Sequence, residues 1–361
     1  MLKFKVKGGV FVDISKIDKN FKVETKIERE GLTFYDIDEA PFKIYGVFRE
    51  GEHYVRMPFA VADVINEGTR WAYKNTTGGR VRFVTDSPYI AVHVKVNSPG
   101  KMSHFAFTGS IGCDLYSGTR YFGTFVPRTD VTTEYENIVD IADVCEREYT
   151  INMPLYSGID KMYIGIKEGC TLKPAEDYKI GKPIVYYGSS ITHGGCASRP
   201  GNAYPNIISR DLDCNFINLG FSGSARAEDE MANYIADLDM SAFVYDYDHN
   251  APTLEHYKNT HERMFKIIRE KNPDLSIIMM TRPKYHISPN HEDETERLKV
   301  MLTTYENAIA AGDKNVYCIK GTDLLIDMLR EAALVDNCHP NDVGFVSMAY
   351  VVGNKLKEIL K

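Results

Sequence analysis

The stretch IVYYGSSITHGG, residues 184–195, decides how the chain is read. Its first four residues are apolar or aromatic without alternation, the pattern of a strand covered on both faces in a parallel sheet. Gly188 ends the run, and Ser189 and Ser190 open the turn after it. A serine in a glycine-flanked turn between strand and helix stands at the rim of the sheet. There the helix N-terminus favours developing negative charge. Taken alone, the segment is equally well explained as a tight turn built from small residues.

C-terminal to it the same rhythm repeats. NFINLG (215–220), AFVYDYD (242–248), LSIIMMT (275–281) and NVYCI (315–319) are further continuous apolar runs. Helical patterns over 203–212, 228–238, 254–271 and 293–311 separate them, and an amphipathic helix over 344–360 closes the chain. Strand and helix in alternation predict an α/β fold, a doubly wound parallel sheet in three layers. N-terminal to residue 170 the rhythm differs. YIAVHVKV (89–96) alternates with period two, and VRFV (81–84), FAFTG (105–109), YFGTFV (121–126) and KMYIGIK (161–167) read as further short strands. This predicts an all-β sandwich or jelly roll.

At 361 residues the chain exceeds the span of one hydrophobic core. Two domains are expected, over 1–175 and 182–361, joined through the polar stretch TLKPAEDYKIGK (171–182). A formal charge of -7 without clustered Lys and Arg argues against a nucleic-acid partner. No apolar run approaches the ~20 residues of a membrane helix, so no membrane partner is expected. The opening MLKFKVKGGVFVDI (1–14) alternates like a strand and lacks the apolar core of a secretory signal. Seven cysteines without paired spacing read as reduced thiols, and together these features place the protein in the cytoplasm.

In an open α/β sheet, ligands bind beyond the carboxyl ends of the strands. Four segments fall there. The first is GSSITHGG itself. LGFSGSAR (219–226) is small enough for a backbone amide to approach a ligand. DYDHNAP (246–252) offers either a polar network at a strand end, a carboxylate–histidine metal site, or an amide donor in Asn250. VDNCHPNDVGF (335–345) holds Asp336 and His339 three apart, a carboxylate placed to hold an imidazole tautomer, or a capping Asp beside a surface His. Together they supply a nucleophile, a base, an orienting acid and oxyanion donors, the inventory of acyl transfer. No cofactor or metal is needed. Arg199 and Tyr204 in the loop 196–205, and Arg282 and Tyr285 in TRPKYH (281–286), are candidate substrate contacts. Trp71 and Tyr73 are candidate sugar-stacking rings.

These four blocks, in this order, resemble the SGNH hydrolases, the GDSL-like lipases and esterases, over about half the chain. The resemblance implies Ser190 as nucleophile, with Asp336 and His339 completing the triad. It also implies an oxyanion hole from the amides of Ser190 and Gly220 and the side chain of Asn250, and a flavodoxin-like sheet. Two departures stand out. Ser189 replaces the family's aspartate before the nucleophile, and the third block lacks Gly-x-Asn-Asp around Asn250. A β-sandwich ahead of such a domain resembles the layout of several carbohydrate esterases. The expected function is therefore hydrolysis of a short-chain, acetyl ester on a carbohydrate. Acyl transfer to a second alcohol and non-catalytic sugar binding are the competing readings. The N-terminal half is expected to pack on the catalytic rim.

Overall fold

The computed structural model describes residues 24–283 and 291–360. The strand expected over 1–14 lies outside the described residues.

Five parallel strands form one sheet: Ile180–Gly188, Cys214–Gly220, Ala242–Asp246, Ser276–Met280 and Val316–Ile319. Numbered by chain position, they lie in the order second, first, third, fourth, fifth. The chain therefore reverses direction across the sheet between the first and third strands, which opens a crevice at their carboxyl ends. Successive side chains point to opposite faces, so each strand feeds both layers. Val185, Tyr187, Phe243, Tyr245, Ile277 and Met279 pack under the helices Asp229–Ala236, Leu254–Lys271 and His291–Ala310. Ile184, Tyr186, Val244, Ile278 and Met280 pack under Tyr204–Leu212 and Asp342–Ile359. Double coverage explains why these runs carry no polar alternation.

Ahead of this lie two large antiparallel sheets and a two-stranded one, Phe48–Glu50 with His53–Val55. One large sheet contains Leu32–Asp36, Gly158–Lys167, Tyr89–Asn97 and Glu134–Asp140. The other joins Leu172–Lys173, Arg80–Thr85, Arg147–Asn152, Cys113–Ser117 and Arg120–Phe125, with Lys43–Tyr45 also on Arg80–Thr85. Val92, Val94, Ile164 and Ile166 of the first meet Phe83, Leu115, Tyr149 and Ile151 of the second, giving the expected sandwich.

Two local readings differ from the sequence expectation. FAFTG is no strand: residues Phe107–Ser110 form a short helix. Phe105 and Phe107 alternate because they serve different cores, Phe105 below the parallel sheet and Phe107 against the sandwich. The helices Phe59–Ile65 and Glu67–Ala72 interrupt a region that reads as all-β. They leave the sandwich and enter the other half, where Val55, Met57, Ala62 and Ala72 join one cluster with Leu219, Met231 and Ile235. Arg56, 2% exposed, crosses with them. Its guanidinium donates to the carbonyls of Asn218 (2.9 Å), Gly220 (2.7 Å) and Ala72 (2.7 Å) and lies over the Phe221 ring.

Candidate active site

The crevice assembles from strand ends held in register. Gly188 pairs with both Gly220 and Asp246 across the sheet. Gly188 is required here, because a Cβ would lie 1.6 Å from Asp246 Oδ1. Ser189 caps the short helix Ser190–His193 by accepting the Ile191 amide at 3.2 Å. Gly194, at φ +100°, ends it within one turn. Ser190, 9% exposed, is thereby fixed at the rim, with its Oγ 2.9 Å from His339 Nε2.

The loop bearing His339 is folded by Asp336. Its Oδ1 accepts the backbone amides of Cys338 (3.2 Å) and His339 (2.8 Å). Asn337 takes the left-handed conformation at φ +62°, which asparagine tolerates. Asp336 Oδ2 then accepts His339 Nδ1–H at 2.8 Å, which leaves Nε2 as the acceptor facing Ser190. Burial alone would raise the Asp336 carboxyl; the His339 amide and ring outweigh it and hold it below the usual range. Asn341, not Asp336, caps the following helix, accepting the Val343 (2.9 Å) and Gly344 (3.3 Å) amides. The carboxylate is thus left to the imidazole.

Beneath Ser190, Asp246 joins a buried polar network, one of the readings open to DYDHNAP, with Thr192 and Tyr204 as partners from other segments. Thr192 Oγ1 donates to Asp246 Oδ1 at 2.6 Å and meets the Tyr204 hydroxyl at 2.9 Å. Burial pushes the Asp246 carboxyl up to about 8, despite hydrogen bonds from Thr192 and the Ser189 amide, with Asp248 adding to the rise. Unfolded aspartate titrates near ~3.9, so the folded protein alone keeps this proton between there and about 8. Its contribution to stability is therefore full below the lower value and falls across that window by up to ~1.4 kcal/mol per pH unit. Asp246→Asn should remove that fall. Denaturation midpoints of both proteins from pH 5 to pH 9 check it, and parallel curves would refute it.

The expected donors fare unequally. Asn250 Oδ1 accepts the Ala225 amide at 3.3 Å, which anchors the residue beside the 221–225 turn. The Gly220 amide is already donated to Asn218 Oδ1 at 2.8 Å, and a Cβ here would lie 2.3 Å from the His193 backbone nitrogen. That corrects the expectation for Gly220: its amide is committed within the sheet edge. Gly223, at φ +71° in the following turn, has open space around it. Tyr204 is also corrected. At 1% exposure, packed on Tyr186 and bonded to Thr192, it lies below the site rather than on its wall. Arg199 donates to the Tyr116 hydroxyl (3.2 Å), lies 3.7 Å from the buried Asp114 and stacks over Tyr121. Arg282 gives its amide to Asp248 (3.1 Å) and its guanidinium to Glu294 (2.8 Å). Tyr285 lies outside the described residues. Tyr73 is 6% exposed, whereas Trp71 is 56% exposed. Asp246 and Asp248 turn to separate partners, and no metal cluster forms from them and His249 among the described residues.

The N-terminal half reaches the site directly. The Tyr156 hydroxyl donates to the Ser190 carbonyl at 3.3 Å, and its ring stacks on His193 at 4.0 Å. His193 donates Nε2–H to the Leu155 carbonyl at 2.8 Å, and burial holds this imidazole neutral, well below its usual pKa. The exposed His104 ring lies 5.7 Å from that of His339. Asp114 is the latch that sequence reasoning missed: wholly buried, it accepts the Gly201 amide at 2.8 Å and the Asn152 side chain at 2.7 Å. It stands in Gly112-Cys113-Asp114-Leu115-Tyr116, a run that supplies none of the expected triad or oxyanion groups.

Residues 181–357 match the model of the GDSL-like lipase/acylhydrolase family. Residues 32–172 match the GxDLY model, the N-terminus of SGNH-hydrolase-type esterases. The chain belongs to the GDSL-like lipase/acylhydrolase family and is an esterase carrying that family's N-terminal β domain. Among solved structures it is similar to a Bacteroides ovatus ATCC 8483 protein classed as a GDSL-like lipase. That match has 29% identity and a TM-score of 0.81, over 91% of this chain and 98% of that one. A salicylyl-acyltransferase from a tetracycline biosynthetic pathway shares the fold at 18% identity and a TM-score of 0.73, over 92% and 98% of the two chains. An acetyl xylan esterase from the rumen bacterium Butyrivibrio proteoclasticus shares it at 12% identity and a TM-score of 0.57, over 91% and 98%. A search of curated proteins finds no match. No helix among the described residues is long and apolar enough to cross a membrane.

Proposed function

We propose that Ser190, His339 and Asp336 form a catalytic triad that hydrolyses an acetyl ester on a carbohydrate. The observation that carries this reading is the unbroken relay from Asp336 Oδ2 through His339 (2.8 Å) to Ser190 Oγ (2.9 Å). His339 Nε2 takes the Ser190 proton as Oγ attacks the ester carbonyl, and Asp336 stabilises the imidazolium. The oxyanion receives the Ser190 amide, which begins its helix without an internal acceptor, and the Asn250 side-chain amide. Gly223 takes the place of Gly220 as the second backbone donor. The imidazolium returns its proton to the departing sugar alcohol, and water activated by His339 then releases acetate.

The carbohydrate is inferred from the acetyl xylan esterase, which spans both halves of this chain. Transfer to a second alcohol is the alternative, motivated by the salicylyl-acyltransferase of the same architecture. The test is to incubate the protein with acetylated xylo-oligosaccharides, with and without an unacetylated sugar acceptor. Free acetate at equal rates in both is expected. Acetylated acceptor without acetate would make it a transferase, and neither product would sink the esterase reading for this substrate.

A further inference from the structure

A second chemistry converges on His339. His104, Cys196 and His339 each offer one donor atom, and the three atoms lie within 4.8 Å of one another. Two imidazoles and a thiolate are the donor set of a borderline-soft, four-coordinate ion, with bonds of about 2.0–2.3 Å. Such bonds place donors about 3.3–3.8 Å apart, so the three must draw together by on the order of 1 Å at most, and His104, exposed, is the freest of them to move. His339 is already oriented as zinc-ligating histidines are: its Nδ1–H is held by a carboxylate at 2.8 Å, which leaves Nε2 as the ligand.

The loops are fixed in this arrangement from both sides. The Ser198 amide donates to Asp342 at 2.8 Å, which ties the Cys196 loop to the helix that follows His339. From the sandwich, Gly109 packs so closely on Ala197 that a Cβ would lie 2.0 Å from its carbonyl oxygen. The Leu155 amide donates to the Gly109 carbonyl at 3.1 Å, which secures that contact. His104 enters from the N-terminal half, so the three ligands bridge the two halves of the chain.

We propose that His104, Cys196 and His339 bind a thiophilic divalent transition-metal ion such as Zn²⁺, and that its occupancy switches the esterase off. Binding replaces the Ser190 hydrogen bond at His339 Nε2 with a metal bond and releases the Cys196 thiol proton to solvent. A ligated imidazole takes no proton from serine, so turnover stops while the fold persists. The inhibitory consequence rests on the triad reading; the binding itself does not, and the two are measured separately.

Protein freed of metal with a chelator is titrated with Co²⁺ and followed by absorption. A thiolate-to-cobalt charge-transfer band is expected in wild type, lost in Cys196→Ser, retained in Cys338→Ser and displaced by Zn²⁺. In parallel, Zn²⁺ should abolish acetyl-ester turnover, and chelator should restore it. Cys196→Ser and His104→Ala should keep wild-type turnover and need at least ~10-fold more zinc, the lower end of what losing even an outer partner costs a metal site. No cobalt band in wild type, or a band that follows Cys338 rather than Cys196, overturns the site. Inhibition of Cys196→Ser at the wild-type zinc concentration overturns the switch. A Cys196-dependent band in a protein without esterase activity would instead sink the triad reading and leave the metal site standing.

Discussion

Ser190→Ala is expected to lower acetyl-ester turnover by on the order of 10⁴-fold or more, with the unfolding midpoint little changed. The alcohol is the one group placed 2.9 Å from His339 Nε2, and alanine leaves the helix, its cap and the network below in place. Residues that act as one unit are grossly non-additive, so adding His339→Ala to that variant should cost little more. Asn250→Ala removes one oxyanion donor of several and should lose on the order of 10²–10³. Ser189→Ala loses the helix cap, worth ~1 kcal/mol, and should stay active. Steady-state rates on a chromogenic acetate ester decide among these. Turnover surviving in Ser190→Ala would move the nucleophile elsewhere, and full turnover in Asn250→Ala would end its oxyanion role.

The second large effect is on stability. Arg56→Ala should cost roughly 3–5 kcal/mol, read as a lower denaturant midpoint at unchanged slope. The change removes a long buried stem together with donors to three carbonyls, one of them that of Gly220 at the site's edge. Burial, with no carboxylate partner among the described residues, lowers the guanidinium pKa to about 9, so its charge is held by backbone oxygen and the Phe221 ring. Arg56→Met keeps most of the volume but none of the hydrogen bonds, and should fall between wild type and alanine. A midpoint unmoved by alanine would mean these bonds merely balance their own desolvation.

The parallel sheet is legible because strands covered on both faces have no choice but continuous apolar sequence, as Ile184–Tyr187 show. The same logic misfires in the sandwich. Strict alternation assigns Tyr89, Ala91 and His93 to the polar face of their strand, yet all three are buried, His93 under Phe34 and Tyr163. FAFTG misleads for the converse reason, since two phenylalanines bound for separate cores mimic a strand period. At the site, Asp336 and His339 are readable because a three-residue spacing lets one loop bring carboxylate to imidazole. Gly220 is not, because nothing in LGFSG tells that Asn218 claims its amide. Arg56 and Thr192 are invisible for a related reason: their partners lie across the chain, and no local pattern records them. Asp114 does stand in a local pattern, the Gly-x-Asp-Leu-Tyr run at 112–116, but that run emerges only on comparison with the N-terminal family model.

The helices Phe59–Ile65 and Glu67–Ala72 give this molecule an inheritance constraint. A segment of the sandwich fills part of the other half's interior, and Tyr156 of the sandwich abuts the Ser190 helix. Such a catalytic half is not a cassette that can be transplanted behind a different binding module. The graft would carry an apolar scar where Ala62 and Ala72 had been, and an unsupported floor beneath its nucleophile. Exchange of either half therefore calls for compensating changes on the other side of this contact.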